Sequence, residues 1–435
     1  MFTPARYIAI DDDPKELSPL IQALHRLGAP CVGIEFDPEA LPSPSLFHGL
    51  RILFSDLHLL KGAPASIQHY DTLANILNLC IPETHGPYVL VLWTSHEQER
   101  VEFSGRLEQI LPLSKRPIAV LALDKKLFGQ AAGQWDVKGI RSAIGEQIAS
   151  MPQLSALLSW ERDVLAAANS TLALVGQLVP DDQRTFTAYP AALDGILSRL
   201  AEAAFGASNA PNDPRGAVTA ALSPLLSDRI LNQAEAPGSA DLWKRAVTFP
   251  QPGIVLTDAQ KAQMNRMAHL AIGPGESVNK TDWGAIIPLS AAQLEDAAMK
   301  ARFGVTAAHL RDKEFKLKPD RVNDGQLVVI RGGAACDQAQ ANTGPLPMQL
   351  ALLVPTDALQ NTKRSPAVFL CREQFSLGAP PEPHSLLVHA RFGTTVVQDD
   401  LPNWLDASMR LREQLLMTIL VHVSAHLMRP GTLSF

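Results

Sequence analysis

Between residues 5 and 130 the chain alternates short apolar runs with stretches whose apolar positions recur at helical spacing. The runs are Tyr7–Ile10 (YIAI), Cys31–Phe36 (CVGIEF), Arg51–Ser55 (RILFS), Tyr88–Trp93 (YVLVLW) and Pro117–Leu123 (PIAVLAL). None shows polar alternation, so each reads as a strand covered on both faces. Helices are expected over Pro14–Leu27, Pro64–Leu79 and Glu97–Leu111. The Glu35–Gly49 connection holds three prolines and is a weak helix. Five such strands alternating with helices predict βαβ units and a doubly wound, flavodoxin-like parallel sheet.

The pattern changes after about residue 131. Apolar residues fall at helical spacing over Leu154–Leu178, Ala188–Phe205 and Ala217–Gln233, with breaks at Asn212-Asp213-Pro214 and Ala236-Pro237-Gly238. From Trp283 strand-like runs return: GAIIPL (284–289), QLVVIR (326–331), QLALLVP (349–355), AVFLC (367–371), SLLVHAR (385–391) and TTVVQ (394–398). An amphipathic helix over Asn403–Met428 closes the chain. Many short strands separated by turn residues predict a small β-barrel or a strongly bent antiparallel sheet. The fold class is therefore α/β plus α+β. Its expected parts are an N-terminal domain (1–135), a helical region (136–275) and a strand-rich domain with a terminal helix (276–435).

Composition narrows the function. The chain has 435 residues, 46% of them hydrophobic and 19% charged, which is globular rather than disordered. A net charge of −6 argues against a nucleic-acid coat or a polybasic membrane binder. No apolar run reaches membrane-span length, and the first apolar stretch runs straight into Asp11-Asp12-Asp13, so a cytoplasmic protein is expected. Four scattered cysteines (Cys31, Cys80, Cys336, Cys371) make neither a disulfide scaffold nor a zinc ribbon.

The candidate chemistry lies at the strand ends. The first strand runs into Asp11 and Asp12, the third ends at Asp56, the fourth at Thr94-Ser95, and the fifth at Asp124-Lys125-Lys126. Open α/β sheets place ligands beyond the carboxyl ends of their strands, so acid, acid, hydroxyl and amine share one edge. Clustered carboxylates suit a hard divalent cation such as Mg²⁺, with Asp11, Asp12 and Asp56 as ligands. Asp56 is the candidate nucleophile toward phosphorus, and a hydroxyl and a lysine would bind the phosphoryl oxygens. His58 and His96 flank this edge and read as loop side chains.

On these residues, 5–130 resemble the receiver domain of bacterial two-component response regulators. The family's acidic pair matches Asp11 and Asp12, its phospho-acceptor Asp56, and its strand-end Ser/Thr Thr94. Its lysine matches Lys126, or Lys125 if the register slips by one. The resemblance implies a Mg²⁺-dependent phospho-acceptor that takes phosphate from a sensor histidine kinase and regulates an output region. There are departures. Thr94 lies 38 residues after Asp56 and Lys126 lies 32 after Thr94, both longer than usual. DLHLLKG follows the acceptor where the family has a proline, and Leu127 follows the lysine. The whole layout resembles receiver-fused proteins of bacterial defence loci, which implies a histidine-kinase-like ATPase as an alternative partner. A homodimer is a further expectation.

Two other readings stand beside this one. The receiver would be an adaptor, docking a partner ATPase without carrying phosphate. Alternatively, Cys336 in the VVIRGGAACDQAQ segment would be a nucleophile, beside Asp337 and with His384, His389 or His422 as base. Cys336 as a packed core thiol and Asp337 as a turn cap explain the same segment. His422 and His426 share a helical face, but HVSAH lacks the glutamate of a zinc-protease motif.

Overall fold

The computed structural model describes residues 5–60, 62, 66–83, 85–129, 135–247, 255–273, 276, 278–334 and 344–428. The chain divides into two compact units. The first comprises residues 1–162 and 234–248, the second residues 163–233 and 249–435.

Five strands build the first unit: β1 (Tyr7–Asp11), β2 (Cys31–Glu35), β3 (Ile52–Ser55), β4 (Val89–Thr94) and β5 (Ala119–Asp124). They pair in parallel in the order β2-β1-β3-β4-β5, the order of a flavodoxin-like doubly wound sheet. Helices α1 (Pro14–Arg26), α2 (Ser66–Cys80), α3 (Arg100–Ile110) and α4 (Val137–Ala149) surround it. The two sides of β4 show why its run is wholly apolar. Leu90 and Leu92 pack with Tyr70, Leu73 and Leu77 of α2 and Phe103 of α3. Val89, Val91 and Trp93 pack with Leu17, Leu20 and Leu24 of α1 and Ile140 and Ile144 of α4. The prolines between β2 and β3 have the expected effect, leaving only a 3₁₀ turn at Pro44–Phe47. Gly33 in β2 admits α1 closely, since a Cβ there would lie 2.2 Å from Ile21 Cδ1.

Helix α5 (Pro152–Gln177) begins in this unit, where Leu154 joins the α1–α4 core. Its Glu161 takes two bonds from the Arg51 guanidinium, at 2.9 and 3.1 Å, and pairs with Arg6. Helix α8 (Ser239–Ala246) also belongs to the first unit.

In the second unit, α6 (Tyr189–Phe205) and α7 (Pro214–Leu231) pack together through Ala201, Ala210 and Ala217. Helix α9 (Asp258–His269) opens with a Thr257–Gln260 capping box. The sheet that follows has strands β6 (Leu270–Ala271), β7 (Ala285–Pro288), β8 (Gln326–Arg331), β9 (Leu346–Pro355), β10 (Val368–Leu377), β11 (Glu382–Val396) and β12 (Met409–Leu411). Every pairing is antiparallel, in the order β10-β11-β9-β8-β7-β12-β6.

This seven-stranded antiparallel sheet curls into a half-barrel, in keeping with the expected barrel-like, strongly bent sheet. Among the described residues β10 and β6 are its two open edges. It needs no closure because apolar segments cover both faces. On one face Leu327, Val329, Leu350 and Leu352 meet Met299, Phe303, Leu310 and Phe315. On the other Val328, Ile330, Leu386 and Val388 meet Leu415, Leu416, Ile419 and Val423. Those four lie on α10 (Glu413–Leu427), the terminal helix, which starts ten residues later than its amphipathic pattern predicts. Two expected strands, SLLVHAR and TTVVQ, are one strand, β11, whose register against β9 shifts between Val388 and Gly393. No described helix is long and apolar enough to cross a membrane.

Gly284 fixes the approach of β7 to β12. Its φ is +86°, and a Cβ there would lie 2.7 Å from the Leu411 carbonyl oxygen. Gly284→Ala therefore meets both backbone strain and a backbone clash. We expect a loss of about 2 kcal/mol or more, seen as a lowered urea midpoint with an unchanged m-value.

Candidate functional site

The site forms where β1, β3 and β5 end. Asp11 is the last residue of β1 and is fully buried. Asp13, two residues on, caps α1 by accepting from Lys15 N, and its own N–H donates to Asp11 Oδ1 at 2.9 Å. Asp56 follows β3 and is anchored by its N–H to the Ile10 carbonyl at 2.9 Å. Its Oδ1 accepts from His58 N at 3.3 Å. Oxygens of Asp11, Asp12 and Asp56 lie within 4.8 Å of one another.

A buried lysine joins them. Lys125 Nζ lies 2.8 Å from Asp56 Oδ2 and 3.6 Å from Asp11 Oδ2, and it pairs with Glu16. Of the two adjacent lysines that the sequence offers, Lys126 or Lys125 on a register slip of one, it is Lys125 that reaches the carboxylates. Asp124 Oδ1 accepts from Lys126 N and closes a 3₁₀ turn over Lys125–Leu127. That turn sends Lys125 inward and leaves Lys126 exposed, its Nζ donating to the Ser95 carbonyl at 2.8 Å. Glu16 escapes a motif reading, although its place in the first turn after the Asp13 cap puts an acid beside this edge.

Thr94 ends β4, fully buried, and lies opposite Asp124 in the β4–β5 register. Its Oγ1 accepts from His96 N at 3.2 Å. Thr94 thus shares the edge by register, and its recorded bond goes to the β4 loop rather than to a carboxylate.

The electrostatics follow from burial. Removal from water pushes the Asp11 carboxyl up to about 7, against the pull of Lys125 and the Asp13 N–H, with Asp56 and Glu16 adding to the rise. Burial works against the Lys125 charge too, but Asp56 and Asp11 outweigh it and hold the ammonium above its ordinary range. Asp11 Oδ2 is buried without a hydrogen-bond partner among the described residues. A buried carboxylate oxygen with no hydrogen bond and only the 3.6 Å ion pair to Lys125, beside two other aspartates, is what a hard, oxygen-seeking dication would satisfy. The donor set therefore fits a divalent metal ion.

Further loop side chains gather beside this edge. His58 Nε2 lies 3.0 Å from Glu99 Oε2, and His96 Nδ1 lies 3.3 Å from Glu99 Oε1. Both histidines lie at this edge as the loop side chains that their positions predict, each two positions after a strand-end residue of the site, Asp56 and Thr94; their approach to Glu99 carries no local signal.

The alternative centre in the second unit is not assembled by the described residues. Cys336 and Asp337 lie outside them. His384 is half-buried and contacts the Glu382 carbonyl. His389 is fully buried and holds Glu314 at 3.0 Å, while His422 packs its ring on Phe369.

No protein-family model, curated protein or solved structure shows a significant match to the chain.

Two outcomes test this geometry. Lys125→Ala leaves buried carboxylates without their cation and should cost about 3–5 kcal/mol, whereas Lys126→Ala should stay within about 0.5 kcal/mol; chemical denaturation of the two variants compares them. Ionised Asp11 costs the folded state, because its folded carboxyl titrates near 7, above the ordinary value of 3.8. That cost is absent below the ordinary range, grows as pH rises toward 7, and is complete above it. Asp11→Asn in metal-free buffer should thus raise the melting midpoint at pH 8 by at least about 3 °C, with the gain shrinking steadily toward pH 4.

Proposed function

We propose that the first unit is a response-regulator receiver that accepts a phosphoryl group on Asp56. The observation that carries this reading is the single cluster of Asp11, Asp12, Asp56 and Lys125 at the carboxyl edge of a 2-1-3-4-5 parallel sheet. The residue types match the needs of phosphoryl transfer: a carboxylate nucleophile, acids for a dication, and an ammonium for the phosphoryl oxygens.

Asp11, Asp12 and Asp56 would hold Mg²⁺, which supplies charge neutralisation between carboxylates and phosphoryl oxygens. The phosphoryl donor is a phosphohistidine on a sensor kinase or a histidine-kinase-like ATPase. One Asp56 oxygen forms the new P–O bond as the donor P–N bond breaks. The leaving imidazole keeps the electron pair. Lys125 moves its ammonium from Asp56 Oδ2 toward the incoming oxygens, while Glu16 keeps its tether to the edge. Thr94 Oγ1 accepts from His96 N–H, which leaves its own proton to donate to the phosphoryl group. Turning that hydroxyl disturbs the bond to the β4 loop, so the modified state favours a second loop arrangement. Regulation of the rest of the chain through that loop is part of the proposal.

The adaptor reading draws on the same clasp: a receiver that never carries phosphate would keep Lys125 on Asp56 permanently. Incubating the full chain with phosphoramidate and Mg²⁺ separates the two. Intact-mass spectrometry should show one added phosphoryl group, labile to hydroxylamine, and lost in Asp56→Asn or with EDTA. An unchanged mass, or a gain that persists in folded Asp56→Asn, overturns phospho-acceptance at this residue.

A further inference from the structure

Beside the aspartate cluster lies a second set of donors with different chemistry. His58, His96 and Glu99 each offer one ligand atom, and the three atoms lie within 4.8 Å of one another. They come from separate segments: the loop after β3, the loop after β4, and the 3₁₀ turn Glu97–Glu99 that leads into α3. We propose that they form a site for a divalent transition-metal ion of the zinc class, distinct from the aspartate site.

The spacing supports this. Donor atoms around a tetrahedral zinc at ~2.0–2.1 Å stand about 3.4 Å apart. The Glu99 carboxylate meets the two ring nitrogens at 3.0 and 3.3 Å. Two imidazoles and a carboxylate form the protein ligand set of many zinc sites that keep an open position. The His96 side chain is 41% exposed, so an ion has a path in and solvent has a path to its remaining position.

The surroundings gather the ligands. Rings of His58 and His96 stack at 3.9 Å, 5° from parallel, beside the Glu99 carboxylate; in-plane lone pairs of parallel rings do not converge, so ligation by both turns the more exposed His96 ring out of the stack. On its other side His58 stacks on buried His69 at 4.2 Å, and Leu60 N donates to His69 Nδ1. The Tyr70 hydroxyl donates to Glu99 Oε2 at 2.9 Å, an outer bond of the kind that orients a ligating carboxylate.

Hardness separates the two sites. Mg²⁺ favours all-oxygen donors, whereas imidazole favours zinc, cobalt, nickel and copper. The backbone nevertheless connects them. His58 N donates to Asp56 Oδ1 and His96 N donates to Thr94 Oγ1. An ion held by both rings would pin the loops carrying the candidate acceptor and its hydroxyl partner.

The test is metal binding by the full chain, which does not depend on phospho-acceptance. Titration with Co²⁺ should give the visible d–d bands of a low-coordinate nitrogen–oxygen site, displaced by Zn²⁺ and untouched by excess Mg²⁺. His58→Ala and His96→Ala should each abolish the bands, and Tyr70→Phe should weaken binding about 10-fold. Asp56→Asn should retain them, so failure of the phosphorylation reading leaves this result intact. Circular dichroism confirms that each variant folds; His58→Gln and His96→Gln serve where the alanine variants do not. Absence of d–d bands at millimolar Co²⁺, or bands that survive both histidine variants, overturns the site and leaves the cluster as histidines held on Glu99 by direct contacts.

Discussion

One buried ammonium governs the carboxyl edge of the parallel sheet. Lys125 stands among Asp11, Asp56 and Glu16, with Asp12 close by, so one positive charge faces four acids. In a site sheltered from water such crowding is expensive, and the lysine offsets only part of it. The rest appears as a carboxyl on Asp11 that titrates near 7 and an oxygen without a hydrogen-bond partner. The edge is thus built with excess negative charge. The cost in stability is one that a dication held by Asp11, Asp12 and Asp56 would offset.

That crowding needs a stiff frame, and the strands supply it. β1, β3 and β4 are almost wholly buried and packed on both faces, so the positions of their ends are set by core packing rather than by the polar groups. The loops beyond them are short and tied back by backbone bonds: Asp56 N to Ile10 O, Asp13 N to Asp11 Oδ1. Charged groups that would otherwise move apart are therefore kept together. The second unit uses the same device on an antiparallel sheet, covered on both faces, where strand runs such as QLALLVP lose the usual alternation.

How much of this the sequence discloses depends on the range of the interaction. β1, β3 and β4 are legible because burial on both faces makes them unbroken apolar runs, and α1 to α3 follow from apolar spacing; β2, expected to be covered on both faces, is largely exposed at the sheet edge. Acids at strand ends are legible for the same reason: once the strand is located, its end is known. The choice between adjacent lysines is not, since it rests on a single turn capped by Asp124. β6 and β12 are two and three residues long, too short for any period to show. The terminal helix starts late because Met409–Leu411 finds a better partner in β7 than in helical continuation. The histidines are legible only as loop residues at the edge; their meeting with Glu99, which His58 reaches across 41 positions, is not.

The bare connection between β2 and β3 has a bearing on behaviour at high concentration. Without a helix there, β2 ends the sheet with its outer side chains largely exposed, Val32 among them. An uncovered edge invites other chains to add strands and seed aggregates. This edge is a poor template. It is five residues long, carries Gly33 at its centre, and is bracketed by Pro30 and Pro38, which cannot donate to a growing ladder. Pro38, one of the prolines that cost the domain a helix, thus also acts with Pro30 as a gatekeeper, keeping an exposed strand from becoming a nucleus for fibrous association.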